Sequence, residues 1–215
     1  MITFDNTVFK LNPNLKWETI DTPVAKVTII DDFYEDFNSV YREMLKLPGA
    51  ATACNTPDEM IDYRKSYAAN MAGTGLPFTG DYSSKVRDII SYDGDVSTTE
   101  ALMINVNKLL CDKHKDNWYN IHQDPVNTNW NDIISTVVML NKNYDTGEGT
   151  NFYYHSPSTE SNWFAKGTVR RSFFVQGKPN RAILFSPYYW HGAAFGGDQF
   201  RSEYRYTQVI FTNLR

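Results

Sequence analysis

The second half of the chain alternates short apolar runs with turn-forming residues, a pattern typical of β-strands. From residue 99 onward this pattern predicts about eight short strands. They cover residues 100–110, 117–124, 133–141, 149–154, 170–175, 182–185, 190–195 and 204–212. The run 133–141 is rich in β-branched residues, which predicts burial on both faces. Many short strands separated by turns predict a jelly roll or a sandwich.

The first half of the chain has a different pattern, in which apolar residues recur at helical spacing. The predicted elements are strands at 7–11 and 24–30 and helices at 33–47 and 81–91. Residues 49–80 contain small residues and several glycines, which predicts a loop. We therefore predict one domain, residues 1–215, in which strands and helices of 1–98 flank a core of strands at 99–213.

The composition of the chain argues against several classes of protein function. The 215 residues carry a net charge of −4, which argues against broad electrostatic binding to nucleic acid or to an anionic membrane. The two cysteines, Cys54 and Cys111, are too few for a disulfide framework and indicate reduced thiols. No apolar run approaches the length of a membrane span, and the N-terminus lacks the pattern of a signal peptide. We expect a cytoplasmic protein.

The segment 120–125, Asn-Ile-His-Gln-Asp-Pro, ends one of the predicted strands. Side chains alternate along a strand, so His122 and Asp124 share one face. An imidazole and a carboxylate are two of the three ligands in the two-histidine, one-carboxylate site of non-haem iron(II). His191 follows a later apolar strand, and a jelly roll brings distant strands together. His191 is the candidate third ligand. Three positions on the metal would then remain open for water, a cosubstrate and oxygen.

An anionic cosubstrate requires a cationic partner. Arg205 opens the last predicted strand and shares a face with Thr207, so a guanidinium and a hydroxyl can grip one carboxylate. Arg201 is the competing candidate, in a segment we expect to be an exposed loop. Two further arginines, Arg170 and Arg171, open another predicted strand and are interpreted as an exposed sheet edge. A role facing the substrate is the alternative.

These pieces together resemble the iron(II)- and 2-oxoglutarate-dependent dioxygenase superfamily, in particular its prolyl-4-hydroxylase-like branch. The matching segments occur in the family's order over residues 24–47 and 100–213. They are Tyr119-x-x-His122-x-Asp124, the core strand 137–142, the glycine turn 147–152, the strand 181–185 followed by His191, and Arg205-Tyr206-Thr207. The resemblance implies a double-stranded β-helix, that is, a jelly-roll core.

The resemblance also implies an enzyme and its cofactors. Iron(II) would be held by His122, Asp124 and His191, and the 2-oxoglutarate cosubstrate and O2 would occupy the open positions. Arg205 would bind the far carboxylate of 2-oxoglutarate with help from Thr207. Tyr119 is a further candidate for cosubstrate binding. Strand alternation places it opposite His122, and a bulge would bring it to the site.

The branch implies hydroxylation of a prolyl or other side chain in a protein or peptide. A free amino acid or small metabolite is the alternative substrate, and a nucleic acid is not expected. Met139 departs from the family, because a tyrosine often contacts the cosubstrate there. Two other functions stay open: a jelly-roll binding module without catalysis, and a cupin-like metal enzyme that uses no 2-oxoglutarate. Arg205 and Thr207 argue against the second. The oligomeric state is not indicated.

Overall fold

The computed structural model describes residues 4–46, 81–106, 121–124, 132–155 and 169–215. The helices are α1 (Phe37–Met44), α2 (Asp81–Ile90) and the short α3 (Gln199–Ser202), and a 3-10 turn covers Asn6–Val8. The strands are β1 (Lys16–Asp21), β2 (Lys26–Asp31), β3 (Val96–Val106), β4 (Ile133–Met139), β5 (Glu148–His155), β6 (Val169–Gln176), β7 (Arg181–Phe185), β8 (His191–Phe195) and β9 (Arg205–Leu214).

The strands form two antiparallel sheets. The larger has the order β1-β2-β7-β4-β9-β3, and the smaller has the order β6-β5-β8. An isolated bridge between His122 and His191 adds the segment 121–124 to the free edge of β8. From β3 onward the described chain therefore passes back and forth between the sheets, and in this part of it only the step from β5 to β6 stays within one sheet. This is the double-stranded β-helix that the sequence predicted.

Two apolar clusters cover the two faces of the larger sheet. The outer cluster packs α1 and α2 against that sheet, and the inner cluster lies between the two sheets. β4 contributes to both, since Val138 belongs to the outer cluster while Val137 and Met139 belong to the inner one. The prediction that this strand is buried on both faces is confirmed. The inner cluster fills the space between the sheets, so its side chains line any site that lies there.

The structure differs from the predicted strand at 7–11. A 3-10 turn forms there instead, because the carboxylate of Asp5 accepts hydrogen bonds from both the backbone N–H and the hydroxyl of Thr7. Only Leu11 makes a bridge, to Tyr34. In contrast, β1 was not predicted. It is an edge strand whose side chains are almost all exposed, so it has no apolar periodicity to detect.

Helix α1 begins four residues later than its apolar spacing predicted. Asn180 explains the later start of the helix. Its side chain accepts a hydrogen bond from the N–H of Tyr34 and donates one to the carbonyl of Tyr34, which holds that residue outside the helix. The carboxylate of Asp36 then caps the helix by accepting from the N–H of Ser39. Arg201 also differs from expectation, since it lies in α3 and not in a loop. Arg170 and Arg171 are exposed on the edge strand β6, as predicted.

Several predictions concern residues outside the described parts of the chain. These are the loop at 49–80, the start of the predicted strand at 117–120 with Tyr119, and both cysteines. Within the described residues, no helix is long and apolar enough to cross a membrane.

Candidate metal centre

Two histidines from distant parts of the chain meet at the edge of the smaller sheet. The backbone N–H of His122 donates to the carbonyl of His191 at 2.9 Å, and the reverse hydrogen bond is also 2.9 Å long. Such a reciprocal pair places both side chains on the same face of the sheet. The imidazole centroids are 4.6 Å apart. Backbone pairing therefore sets the separation of the two rings.

Asp124 completes a group of three on that face, as strand alternation predicted. Its Oδ1 lies 3.6 Å from Nε2 of His122, and its Oδ2 lies 3.6 Å from Nε2 of His191. One donor atom from each residue falls within 4.8 Å of the other two, close enough to share one ion. Among the described residues this is the one such group of three. The backbone N–H of Asp124 donates to the carbonyl of Pro187 at 3.2 Å, which holds the carboxylate beside the loop that leads into His191.

Neighbouring groups orient two of the three side chains. Nδ1 of His191 lies 2.8 Å from the carbonyl of Tyr189. A carbonyl only accepts hydrogen bonds, so Nδ1 carries the proton and Nε2 keeps a free lone pair directed at the cluster. The hydroxyl of Ser135, on β4, donates to Oδ2 of Asp124 at 2.8 Å. These contacts are the outer hydrogen bonds that fix the direction of metal ligands in proteins.

The charge states of the cluster suit a cation. Burial raises the pKa of Asp124, but the adjacent imidazoles of His191 and His122 and the Ser135 hydroxyl outweigh it, so that pKa falls to about 2. Burial lowers the pKa of His191 to about 4, even though the Asp124 carboxylate opposes the shift. At neutral pH the site thus holds an ionised carboxylate and a neutral imidazole, the forms that bind metals.

Aromatic rings enclose the His191 side of the cluster. The Phe185 ring meets the imidazole of His191 edge to face at 4.7 Å between centroids, and the Phe152 ring lies 6.3 Å away. Both phenylalanines are almost fully buried. His191 itself is 5% exposed, so these rings keep water away from one side of the site.

Arg205 lies between the sheets on the inner face of β9, the face that also carries Thr207, Val209 and Phe211. It is 6% exposed. One guanidinium N–H donates to the hydroxyl of Thr207 at 3.2 Å. Another lies 3.3 Å from the carbonyl of Gly149 and 3.4 Å from the hydroxyl of Thr150. A buried cation flanked by two hydroxyls is suited to hold a carboxylate.

The register of the strands indicates that Arg205 lies near His191. Thr150 lies on β5, two residues before Phe152, which pairs directly with His191. Two residues of strand span about 7 Å, so Arg205 and the cluster occupy the same inter-sheet space at neighbouring levels. The positive charge of Arg205 also contributes to the lowered pKa of His191.

Arg201 occupies a different environment from Arg205. It is exposed on α3 and its Nε lies 3.1 Å from the carboxylate of Asp198. Met139 is fully buried and pairs with Thr207, so it adds an apolar side chain beside the arginine where a tyrosine would add a hydroxyl. Tyr119 lies outside the described residues.

Sequence reasoning did not find Ser135, Thr150 or the carbonyl groups of Gly149 and Tyr189. Carbonyl groups leave no trace in a sequence. Ser135 had a detectable signal, because it is the one hydroxyl among the otherwise apolar inward positions of β4. A buried polar group requires a partner, and here the partner is Asp124.

No family model matches the chain, and neither does any curated protein. Among solved structures, AviO1 from Streptomyces viridochromogenes Tue57 has a TM-score of 0.41 and 14% identity over 65% of this chain and 60% of its own. The chain thus spans less than two thirds of that protein. An oxidoreductase of the 2OG-Fe(II) oxygenase family from Burkholderia pseudomallei has a TM-score of 0.37 and 11% identity over 93% of this chain and 72% of its own.

A prolyl-4-hydroxylase from Pseudomonas putida has a TM-score of 0.33 and 14% identity over 93% of this chain and 78% of its own. All three similarities are too distant to carry a functional argument.

Proposed function

We propose that this protein is an iron(II)- and 2-oxoglutarate-dependent dioxygenase that hydroxylates a C–H bond. The observation that carries the proposal is the close approach of two imidazoles and one carboxylate, within 4.8 Å, in the inter-sheet space that also contains the buried Arg205. Neither the His–Asp–His group nor the buried arginine would support this function alone. Metal-binding groups of this kind occur in many enzymes, and a buried arginine is often structural.

The three donor groups fit iron(II). Two imidazoles and a carboxylate on one side of an ion form the facial set of non-haem iron oxygenases, which leaves positions open for other ligands. In this chain Nε2 of His191 is free to bind because Tyr189 holds the Nδ1 proton. Ser135 keeps one carboxylate oxygen of Asp124 in position. The ligands would need little rearrangement to bind.

Arg205 fits the far carboxylate of 2-oxoglutarate. Its guanidinium can offer two parallel N–H groups to that carboxylate, and the hydroxyls of Thr207 and Thr150 lie at hydrogen-bond distance from the guanidinium. A dicarboxylate that extends from the cluster toward β9 would place its two ends on the two charged parts of the site. This use of Arg205 also argues against a cupin-like enzyme without 2-oxoglutarate.

Iron(II) and 2-oxoglutarate together supply the activation of O2 that C–H hydroxylation requires. One oxygen atom enters the substrate as a hydroxyl group and the other enters succinate, while the C1 carboxylate of 2-oxoglutarate leaves as carbon dioxide. The protein's own residues orient the reactants and limit water. Phe152 and Phe185 shield the imidazole of His191, and Arg205 fixes the direction of the cosubstrate.

The proposal is tested by adding iron(II) and 2-oxoglutarate to the protein without oxygen. We expect the weak visible charge-transfer band of the bidentate chelate. Iron binding without the band would favour a cupin-like metal enzyme. No iron binding by folded protein would favour a module without catalysis.

The role of Arg205 is tested by comparing Arg205→Ala with Arg201→Ala. Loss of a charge-assisted pair should weaken 2-oxoglutarate binding by about 10- to 100-fold in Arg205→Ala. Arg201→Ala should bind as the wild type, because Arg201 is exposed and paired with Asp198. Arg205→Lys keeps the charge without the fork and should fall between them. The reverse order would transfer the role to Arg201.

A further inference from the structure

A row of four paired residues crosses the inner face of the smaller sheet, and we call it the ligand row. It consists of His122, His191, Phe152 and Phe173, each paired with the next across the sheet. Beyond the ligand row, the same face carries a further cross-strand pair. Side chains alternate along β5, so the next residue on the face of Phe152 is Tyr154. Its partner on β6 is Arg170. This pair lies one step beyond the row, as Asp124 lies one step beyond His122.

A bulge in β6 decides which arginine occupies this position. The register shifts between Phe152 and Tyr153, so that β6 has one extra residue, Ser172. Without it, Tyr154 would pair with Arg171. With it, Arg171 pairs with Tyr153 on the opposite face. Bulges commonly redirect side chains next to active sites.

Side-chain contacts agree with the placement of Tyr153 and Arg171 on the face opposite Phe152. The side-chain amide of Asn151 donates to the hydroxyl of Tyr153 at 3.2 Å, as expected for two residues that share a face. Burial raises the pKa of Tyr153, and the hydrogen bond from Asn151 and the nearby charge of Arg171 lower it in part. Arg171 thus acts on the outer face, away from the cluster.

Arg170 and Tyr154 are both open to solvent. Tyr154 is 59% exposed, one of the few large apolar side chains with that much exposure among the described residues. Arg170 is exposed too and forms no ion pair with any other residue in the described part of the chain. A free guanidinium beside an exposed phenol, on the face that carries the metal ligands, is a site for an anionic group with an apolar body.

The spacing limits the size of the ligand. β6 lies two strands from β8, and Arg170 lies one step beyond the row of His191. Together these two displacements place the backbone of Arg170 about 12 Å from that of His191. Both side chains point to the same face and close part of this distance. A carboxylate bound to Arg170 would therefore lie only a few bonds from a carbon held at the metal. One guanidinium balances the single charge of a carboxylate.

We propose that Arg170 binds the carboxylate of a small carboxylic-acid substrate, such as a free amino acid, and that Tyr154 packs against its body. This inference rests on the proposed function, because it takes the His–Asp–His cluster as the place of oxidation. It favours a free acid over a side chain within a peptide, which has no carboxylate of its own at that distance.

The test uses the common L-amino acids and their amides, which differ only in the charge of the carboxyl group. Dissociation constants are measured by calorimetry without oxygen, on protein loaded with iron(II) and 2-oxoglutarate and on metal-free protein. The tightest-binding acid should bind at least about tenfold more tightly than its amide. Arg170→Gln should abolish this preference, Arg170→Lys should retain part of it, and Arg171→Gln should keep it in full.

Two results would overturn the inference. One is equal binding, or no binding, of acids and amides to the wild type, which would favour a peptide side chain. The other is a preference for acids that survives in folded Arg170→Gln. Failure of the proposed function is seen separately, as absence of the iron chelate band, and the titration of metal-free protein still tests Arg170 in that case.

Discussion

At the scale of single residues, the candidate metal centre includes groups that orient the three donor side chains and would not themselves touch an ion. Ser135 is the clearest case. Its hydroxyl is fully buried and donates to Asp124, which holds one carboxylate oxygen in place. Partners of this kind typically change metal affinity by 10- to 100-fold when removed, since the ligand then becomes free to rotate.

We predict that Ser135→Ala weakens iron(II) binding by about 10- to 100-fold. The physical reason is the lost orientation of Asp124, and the substitution removes a single oxygen atom, so the fold should remain. Anaerobic calorimetry with iron(II) measures the change. Wild-type affinity in the variant would contradict a role for this hydroxyl.

Thr136→Val is the matched control. Thr136 is the next residue of β4 and faces the outer cluster, where it accepts a hydrogen bond from Tyr82 at 2.6 Å. Loss of this bond should lower the free energy of unfolding by about 1 kcal/mol. Iron(II) affinity should stay at the wild-type value, because the hydroxyl points away from the metal centre.

At the scale of elements, the start of β5 positions the arginine. The carbonyl of Gly149 accepts from Arg205, and the backbone of Gly149 has a φ of 155°. A Cβ at this position would lie 2.1 Å from the carbonyl oxygen of Val175 and 2.6 Å from the nitrogen of Gly177. These are backbone atoms of the paired strand and its turn, so they cannot rotate away. The close approach of β5 and β6 requires glycine here.

We predict that Gly149→Ala lowers the free energy of unfolding by about 2–4 kcal/mol, through strain and separation of the two strands. The melting temperature should fall by about 5–10 °C. Gly147→Ala is the comparison, because its added Cβ would meet its nearest neighbour only at 3.2 Å. Its φ of 85° still disfavours alanine, so a smaller loss of about 1 kcal/mol is expected. Thermal unfolding that ranks Gly147→Ala as the more damaging change would contradict this account.

At the scale of the whole molecule, the candidate metal centre joins segments that are far apart in sequence. His122 and Asp124 lie in the short segment beside β8, whereas His191 opens β8 itself. Ser135 comes from the larger sheet, so the site also connects the two sheets. An ion bound here would bind the native state and not the unfolded chain, where these groups are separated.

We predict that iron(II) raises the melting temperature under anaerobic conditions. A metal concentration about 100 times the Kd adds about 2.7 kcal/mol, or about 5–10 °C for a chain of this size. A chelator should reverse the shift. His191→Ala should show no shift, and an equal shift in that variant would place the metal elsewhere.

The local features of this protein follow from its sequence alone. Alternation identified the core strands from 133 to 212 to within a few residues, and it placed His122 and Asp124 on one face. These features depend on the period of the strand, which each segment carries alone. Where the period was absent the prediction failed, as in the polar edge strand β1, or was overridden by side chains such as Asp5 and Asn180.

The tertiary fold, in contrast, governs which distant residues meet. It brought His191 to His122 through a pair of backbone hydrogen bonds and buried Arg205 while leaving Arg201 in solvent. It also turned Arg170, and not Arg171, toward the face that carries His122 and His191 by means of one extra residue in β6. Register and burial follow from the packing of whole sheets. No local pattern contains them, because a shift of one residue reverses every side chain of a strand.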